Sequence, residues 1–214
     1  MIKVAPSILS ADILHLEDEI KSIEKAGADW LHVDIMDGHF VPNLTFGPKL
    51  VRELRKITTL PLDVHLMIDN PEDFIAKFAA AGADNITVHS EVKAPVPQLM
   101  ETVKGFGVSF GISIRPDTPL ESIKEYLGII EILLIMTVHP GFGGQKFIEA
   151  VVPKIALAAK LKSEQRYRYE IEVDGGLNDQ TVKTAAANGA TLIVAGDYIF
   201  NSNDYQKAIA SLRD

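Results

Sequence analysis

The four residues Ala26-Gly27-Ala28-Asp29 recur as Ala81-Gly82-Ala83-Asp84, and a looser copy stands at Asn188-Gly189-Ala190-Thr191. Each copy follows a helical pattern and precedes an apolar strand, so its glycine reads as a helix C-cap with a left-handed backbone. The copies lie 55 and 107 residues apart, which divide into two and four units of roughly 27 residues, the size of a strand plus a helix. At that spacing the 214 residues hold eight units. Strands read directly from the apolar runs fall at about 3–9, 30–36, 61–67, 85–89, 108–114, 131–138, 169–174 and 191–195, with helical patterns between them. Alternating strands and helices imply a parallel sheet, and eight repeats imply an α/β protein of the closed (β/α)₈ TIM-barrel type. No linker-like stretch interrupts the chain, so one barrel domain over residues 1–214 is expected.

An open, doubly wound sheet fits less well, because its central strands would be apolar on both faces. The second strand instead alternates: Leu31, Val33 and Ile35 share one face, and Trp30, His32, Asp34 and Met36 the other. The first set suits packing on helices. The second is expected to face the barrel axis, with Asp63, His65 and Met67 of strand three and Glu170, Glu172 and Asp174 of strand seven. Barrel enzymes carry their sites at the carboxyl ends of the strands, where His32, His65, His89 and His139 all fall. Each histidine alone reads as a packing residue. His32, Asp34, His65 and Asp174 converging from three strands read as a metal site.

Composition restricts the chemistry of that site. With no cysteine in the chain, a cation must be held by imidazole and carboxylate, a donor set that suits one divalent ion per subunit, Zn²⁺, Fe²⁺, Mn²⁺ or Co²⁺, without choosing among them. Cysteine-free composition also favours a cytoplasmic setting. The opening apolar run is too short for a signal peptide, and Ile132–Met136 is too short to span a bilayer, so no membrane role is expected. A formal charge of −8 and a pI near 5.3, with no basic stripe among aromatics, argue against nucleic acid as a partner. Exposed apolar helix positions point to a homo-oligomer.

A second constellation suggests an anion. Pro140-Gly141-Phe142-Gly143-Gly144-Gln145 follows strand six, Asp174-Gly175-Gly176 follows strand seven, and Ala195-Gly196-Asp197 follows strand eight. Glycines let backbone amides close on a phosphate, and following helix N-termini add partial positive charge. No lysine lies within these turns, so the amides themselves are expected to hold the group. Singly, each loop reads as a tight turn; three at one barrel mouth read as a phosphate site, and Gly141–Gly144 as the hinge of a lid.

These residues resemble a known family. Residues 5–12 (Ala-Pro-Ser-Ile-Leu-Ser-Ala-Asp), 32–43, Asp63-Val64-His65-Leu66-Met67, 140–145 and Glu172-Val173-Asp174-Gly175-Gly176 are similar to the ribulose-phosphate 3-epimerase family, over about residues 2–212. The resemblance implies a barrel of the ribulose-phosphate-binding type and a metal-dependent isomerase interconverting D-ribulose 5-phosphate and D-xylulose 5-phosphate. It implies His32, Asp34, His65 and Asp174 as ligands, and Asp34 and Asp174 as the acid/base pair at C3. It further implies substrate contacts from Ser7, His65, Gly141, Phe142, Gly143, Gly144, Asp174, Gly175, Gly176, Gly196 and the Asp197 backbone. The chemistry fits that arrangement: inverting C3 beside a carbonyl needs two proton-transfer groups on opposite faces and an electrophile to stabilise the enediolate. Met36, Met67 and Met136 read either as core packing or as a soft apolar wall beside that intermediate.

Three residues depart from the family pattern. Asp197 stands where serine is usual, which sets a carboxylate beside a dianion unless the side chain turns away. His139 and Arg115 each replace asparagine, and Arg115 is either a counter-charge to Asp197 or solvated. Two other functions suit the same features: 3-epimerisation of a ketohexose 6-phosphate such as D-allulose 6-phosphate, and a sugar-phosphate-binding barrel without activity. The His and Asp set argues against the metal-free phosphate-binding barrels of tryptophan or pyrimidine synthesis.

Overall fold

The computed structural model describes residues 2–213; Met1 and Asp214, the ends of the expected domain, lie outside them. The eight strands are β1 (Lys3–Pro6), β2 (Leu31–Met36), β3 (Leu62–Met67), β4 (Asn85–His89), β5 (Ser109–Ile114), β6 (Ile132–Met136), β7 (Glu170–Asp174) and β8 (Leu192–Ala195). They form one parallel sheet in the order β1-β8-β7-β6-β5-β4-β3-β2. A single parallel bridge between Ser7 and His32, with the Asp29 N–H donating to Val4 O at 2.9 Å, brings β1 against β2 and nearly closes the barrel.

Helices α1 (Leu16–Lys25), α2 (Pro48–Ile57), α3 (Ile75–Ala81), α4 (Val96–Gly105), α5 (Val152–Gln165), α6 (Thr181–Ala187), α7 (Asp197–Phe200) and α8 (Tyr205–Ser211) fill the connections and follow β8. Between β5 and β6 the helical pattern forms a 3₁₀ helix, Leu120–Tyr126, because Pro116 and Pro119 take up the start of a short connection. The first strand stops at Pro6 instead of running to residue 9. Ser7 caps a 3₁₀ turn there, its Oγ accepting from the Leu9 N–H at 3.4 Å. The sixth strand likewise ends at Met136, short of the expected 138.

The repeated tetrapeptides do two jobs. Gly27, Gly82 and Gly189 have φ of 94°, 103° and 105°, and the following alanine N–H reaches back to the helix, as in Ala83 to Phe78 O at 3.2 Å. The fourth residue then fastens the preceding strand. Asp29 Oδ2 accepts from Val4 N–H at 2.8 Å, Asp84 Oδ2 from Leu62 N–H at 2.8 Å, and Thr191 Oγ1 from Ile171 N–H at 3.0 Å.

Two apolar layers result. Leu31, Val33 and Ile35 pack outward with Ile20, Ile23, Val51 and Leu54, while Ala5, Ile132, Leu134, Met136, Leu192 and Val194 fill the axis with Trp30. Of the exposed large apolar residues, Ile13 and Leu14 lie in a 3₁₀ helix, Ile13–His15, and Leu44, Phe106, Ile129 and Phe142 in loops and turns, none of them in an α-helix. Among the described residues no helix is long and apolar enough to cross a membrane.

Candidate active site

Register between β2 and β3 builds the centre of the site. The ladder sets His32 opposite Asp63 and Asp34 opposite His65, and because alternate residues of a strand share a face, all four point to the axis. His32 Nδ1 lies 2.6 Å from Asp63 Oδ2, and Asn85 Nδ2 donates to Asp63 Oδ1 at 2.7 Å. Ser7 Oγ donates to Asp34 Oδ2 at 2.6 Å. The other Asp34 oxygen, Oδ1, stands 3.3 Å from both His32 Nε2 and His65 Nδ1. Asp174, from the end of β7, brings a fourth donor, so that one atom from each of His32, Asp34, His65 and Asp174 lies within 4.8 Å of the others.

Those donors fit a small divalent cation. His32 Nε2 is buried and has no hydrogen-bond partner, a costly arrangement for an imidazole whose Nδ1 already meets a carboxylate. Oxygen and nitrogen ligands without sulfur suit a borderline ion with positions left for substrate.

Charge in the cluster is unbalanced. Burial pushes the Asp34 carboxyl up, but against it the charge and contact of His32 lead the influences that hold Asp34 well below the usual carboxylate range. Burial is also the largest influence on Asp174 and, with the Asp34 charge behind it, lifts this carboxyl to about 7. Burial opposes a charge on His32 too, yet Asp34 and Asp63 raise it well above an ordinary imidazole. The cluster therefore retains protons where a cation would otherwise supply the positive charge.

Asp34 and Asp174 line a pocket of about 560 Å³ that opens at the carboxyl ends of the strands. Ser7, Gly141, Phe142, Gly143, Gly144, Gly175, Gly176, Gly196 and Asp197 line it as well, and Met36, Met67 and Met136 form an apolar part of its wall. Thus the three glycine turns meet at one mouth. Turn geometry is a sufficient reason for some of these glycines: a Cβ on Gly176, at φ 68°, would sit 2.3 Å from the Phe147 nitrogen.

Other expectations need correction. His65 is fully buried behind Asp34 and does not reach the pocket lining, because its two nitrogens face Asp34 and His89. His139 stays at the surface, 3.8 Å from Asp117. The Asp197 side chain does not turn away: Oδ1 accepts from Ser10 Oγ, and Oδ2 would be 2.7 Å from a Cβ on Gly144. Arg115 neither answers Asp197 nor is solvated; its guanidinium lies 4.3 Å from the Phe40 ring centre, with NH2 donating to Phe40 O at 3.2 Å. Nor is the glycine mouth made of amides alone, since Lys146 lines the pocket one residue past the turn.

Of the supporting residues, Asp63 was expected at the axis and His89 at a strand end, neither with a partner, and Glu91 was not singled out from sequence. For the pairing of Asp63 the signal was the 31-residue offset between Leu31-His32-Val33-Asp34 and Leu62-Asp63-Val64-His65, which sets a histidine beside an aspartate twice once the strands are in parallel register.

The sequence model of the ribulose-phosphate 3 epimerase family matches residues 3–200. The chain belongs to this family, one of isomerases acting on carbohydrates. It is 48% identical over 214 residues to ribulose-phosphate 3-epimerase of Bacillus subtilis, covering 100% of this chain and 99% of that one. It is 47% identical to the enzyme of the same name from Synechocystis, over 100% and 94% of the two chains. The chloroplastic ribulose-5-phosphate-3-epimerase of Arabidopsis thaliana is 44% identical over 98% of this chain and 75% of its own length. Among solved structures, a variant tryptophan synthase α-subunit from Pyrococcus furiosus superposes with a TM-score of 0.69 at 17% identity, covering 100% and 99% of the two chains. That likeness concerns the barrel alone.

Proposed function

We propose that this protein interconverts D-ribulose 5-phosphate and D-xylulose 5-phosphate, one of Asp34 and Asp174 removing the proton at C3 and the other returning one to the opposite face. The observation that carries the proposal is the pair itself: two carboxyl groups from strands far apart in the barrel line one pocket, with opposed tendencies to ionise.

His32, Asp34, His65 and Asp174 would hold a divalent ion, which when bound would polarise the sugar's C2 carbonyl and make the neighbouring C–H more acidic. In one direction Asp34, held ionised, takes the C3 proton from its face of the sugar. Asp174, holding a proton, delivers it to the opposite face. A forward turnover thus leaves Asp34 protonated and Asp174 ionised, the state from which the reverse reaction starts with the roles exchanged, and proton exchange with solvent resets the pair for another forward turnover. Ser7 fixes Asp34 by its 2.6 Å hydrogen bond, and Met36, Met67 and Met136 keep water away from the reacting carbon without offering competing hydrogen bonds. At the other end, amides of the three glycine turns and Lys146 would receive the phosphate.

The test is incubation of protein of defined metal content with ribulose 5-phosphate in deuterated water. Xylulose 5-phosphate carrying deuterium at C3 is expected. Metal-replete protein that yields neither product nor exchange would overturn the proposal.

A further inference from the structure

His65 turns one ring nitrogen toward Asp34 and the other away from the site. Its Nε2 lies 3.0 Å from His89 Nε2, the two rings stacking at 4.9 Å with a 30° interplanar angle. His89, fully buried at the end of β4, turns its Nδ1 to Glu91 Oε2 at 3.0 Å. Glu91 is in turn fixed by the Arg115 N–H at 2.8 Å and by the Thr118 hydroxyl, both reaching its other oxygen.

We propose that Glu91 is a positioning residue for the candidate cation site: through His89 it holds the proton of His65 on Nε2 and so leaves Nδ1 bare toward Asp34. The inference rests on the reading of that cluster as a metal site, and it follows from hydrogen-bond polarity. An ionised carboxylate only accepts, so His89 must donate from Nδ1. A neutral His89 then has a bare Nε2, which must accept, and the donor facing it is His65 Nε2–H. His65 Nδ1 is left with a lone pair 3.3 Å from a lone pair of Asp34 Oδ1, an arrangement that a shared cation would relieve. The groups around Glu91 agree with its ionised state. Burial works against the charge of Glu91, but its hydrogen bonds outweigh burial and hold the carboxyl at about 2.

His32 is backed differently, by a carboxylate in direct contact. One ligand therefore has an anion behind it and the other a neutral imidazole whose orientation Glu91 sets. Backing groups of this kind typically change metal affinity about 10–100-fold when lost.

The experiment uses ¹⁵N-histidine NMR of the metal-free protein, then Co²⁺ titration against a competing chelator. In the parent, His65 is expected with its proton on Nε2 and His89 with its proton on Nδ1. His89→Phe, which keeps a buried ring and removes the acceptor, and Glu91→Gln are expected to mix or reverse the His65 tautomer. Co²⁺ should then bind about 10–100-fold more weakly. A merely structural role would alter stability without moving the tautomer. The proposal is overturned by a parent with the His65 proton on Nδ1, by a doubly protonated His89, by a parent that takes up no Co²⁺, or by folded variants that bind Co²⁺ as the parent does. Should both variants fail to fold, the parent's spectrum decides. Neither readout uses a sugar, so the result stands apart from whether the protein epimerises ribulose 5-phosphate.

Discussion

Asp197 puts a carboxylate at the glycine-lined end of the pocket, held by Ser10 and facing Gly144. Repulsion between unit charges about 4 Å apart is roughly 1 kcal/mol even in a water-like medium, and more in a less polar one. Asp197→Ser should therefore lower KM for a sugar phosphate about fivefold or more with kcat nearly unchanged, since the group is remote from C3. Rising salt should shrink the difference. Steady-state kinetics at two ionic strengths checks it, and an unchanged KM would mean that the side chain swings out when substrate enters. That a carboxylate stands here was legible in the sequence. Its direction was not, because it depends on the Ser10 hydroxyl, which reaches this position from a 3₁₀ turn more than 180 residues earlier.

At the scale of elements, the tetrapeptide repeats show why so much of the fold was readable. A left-handed C-cap and a side-chain acceptor for a strand N–H are local requirements with local residues to meet them. The eight strands and their polar axial face followed from period and position. What was not readable came from packing between neighbouring strands: the Glu91–His89–His65 relay and the Arg115–Phe40 contact need the register and curvature of β3, β4 and β5. The caps also allow a graded prediction. A Cβ on Gly27 would meet nothing within 4 Å, whereas on Gly189 it would sit 2.4 Å from Ala159 Cβ. Gly27→Ala should cost about 1–2 kcal/mol of stability from the left-handed backbone alone. Gly189→Ala should cost more, because α6 must also move away from α5. Urea unfolding of the two variants orders them, and equal costs would mean that the helices give way freely.

For the whole molecule, the barrel gathers more carboxyl groups at its axis than it balances with cations, and in the metal-free state protons held on Asp174, Glu172 and His32 reduce the excess. A cation held by His32 and Asp174 must displace their protons, so its affinity should fall as pH drops below about 7, where Asp174 becomes protonated. The sign for stability runs the other way in the metal-free protein. Between the unfolded carboxyl's pKa of roughly 3.9 and about 7, the folded state binds the extra proton, so the contribution of Asp174 to stability declines as pH rises through that window. Thermal melts of chelated protein should show Asp174→Asn losing less stability than the parent from pH 5 to pH 8. Added Zn²⁺ or Co²⁺ should raise the parent's Tm most at the alkaline end. A cation effect independent of pH would separate the ion from Asp174.

The division of C3 between two aspartates is most directly examined by hydrogen exchange in each epimer separately. Asp34→Asn and Asp174→Asn, loaded to equal metal occupancy, would be incubated in deuterated water with ribulose 5-phosphate and, in parallel, with xylulose 5-phosphate. Each variant should lose about 10²–10⁴-fold in epimerisation. Each should still exchange the C3 hydrogen of one epimer only, and the epimer should differ between the two variants. Exchange of the same epimer by both variants, or of both epimers by either, would contradict the account.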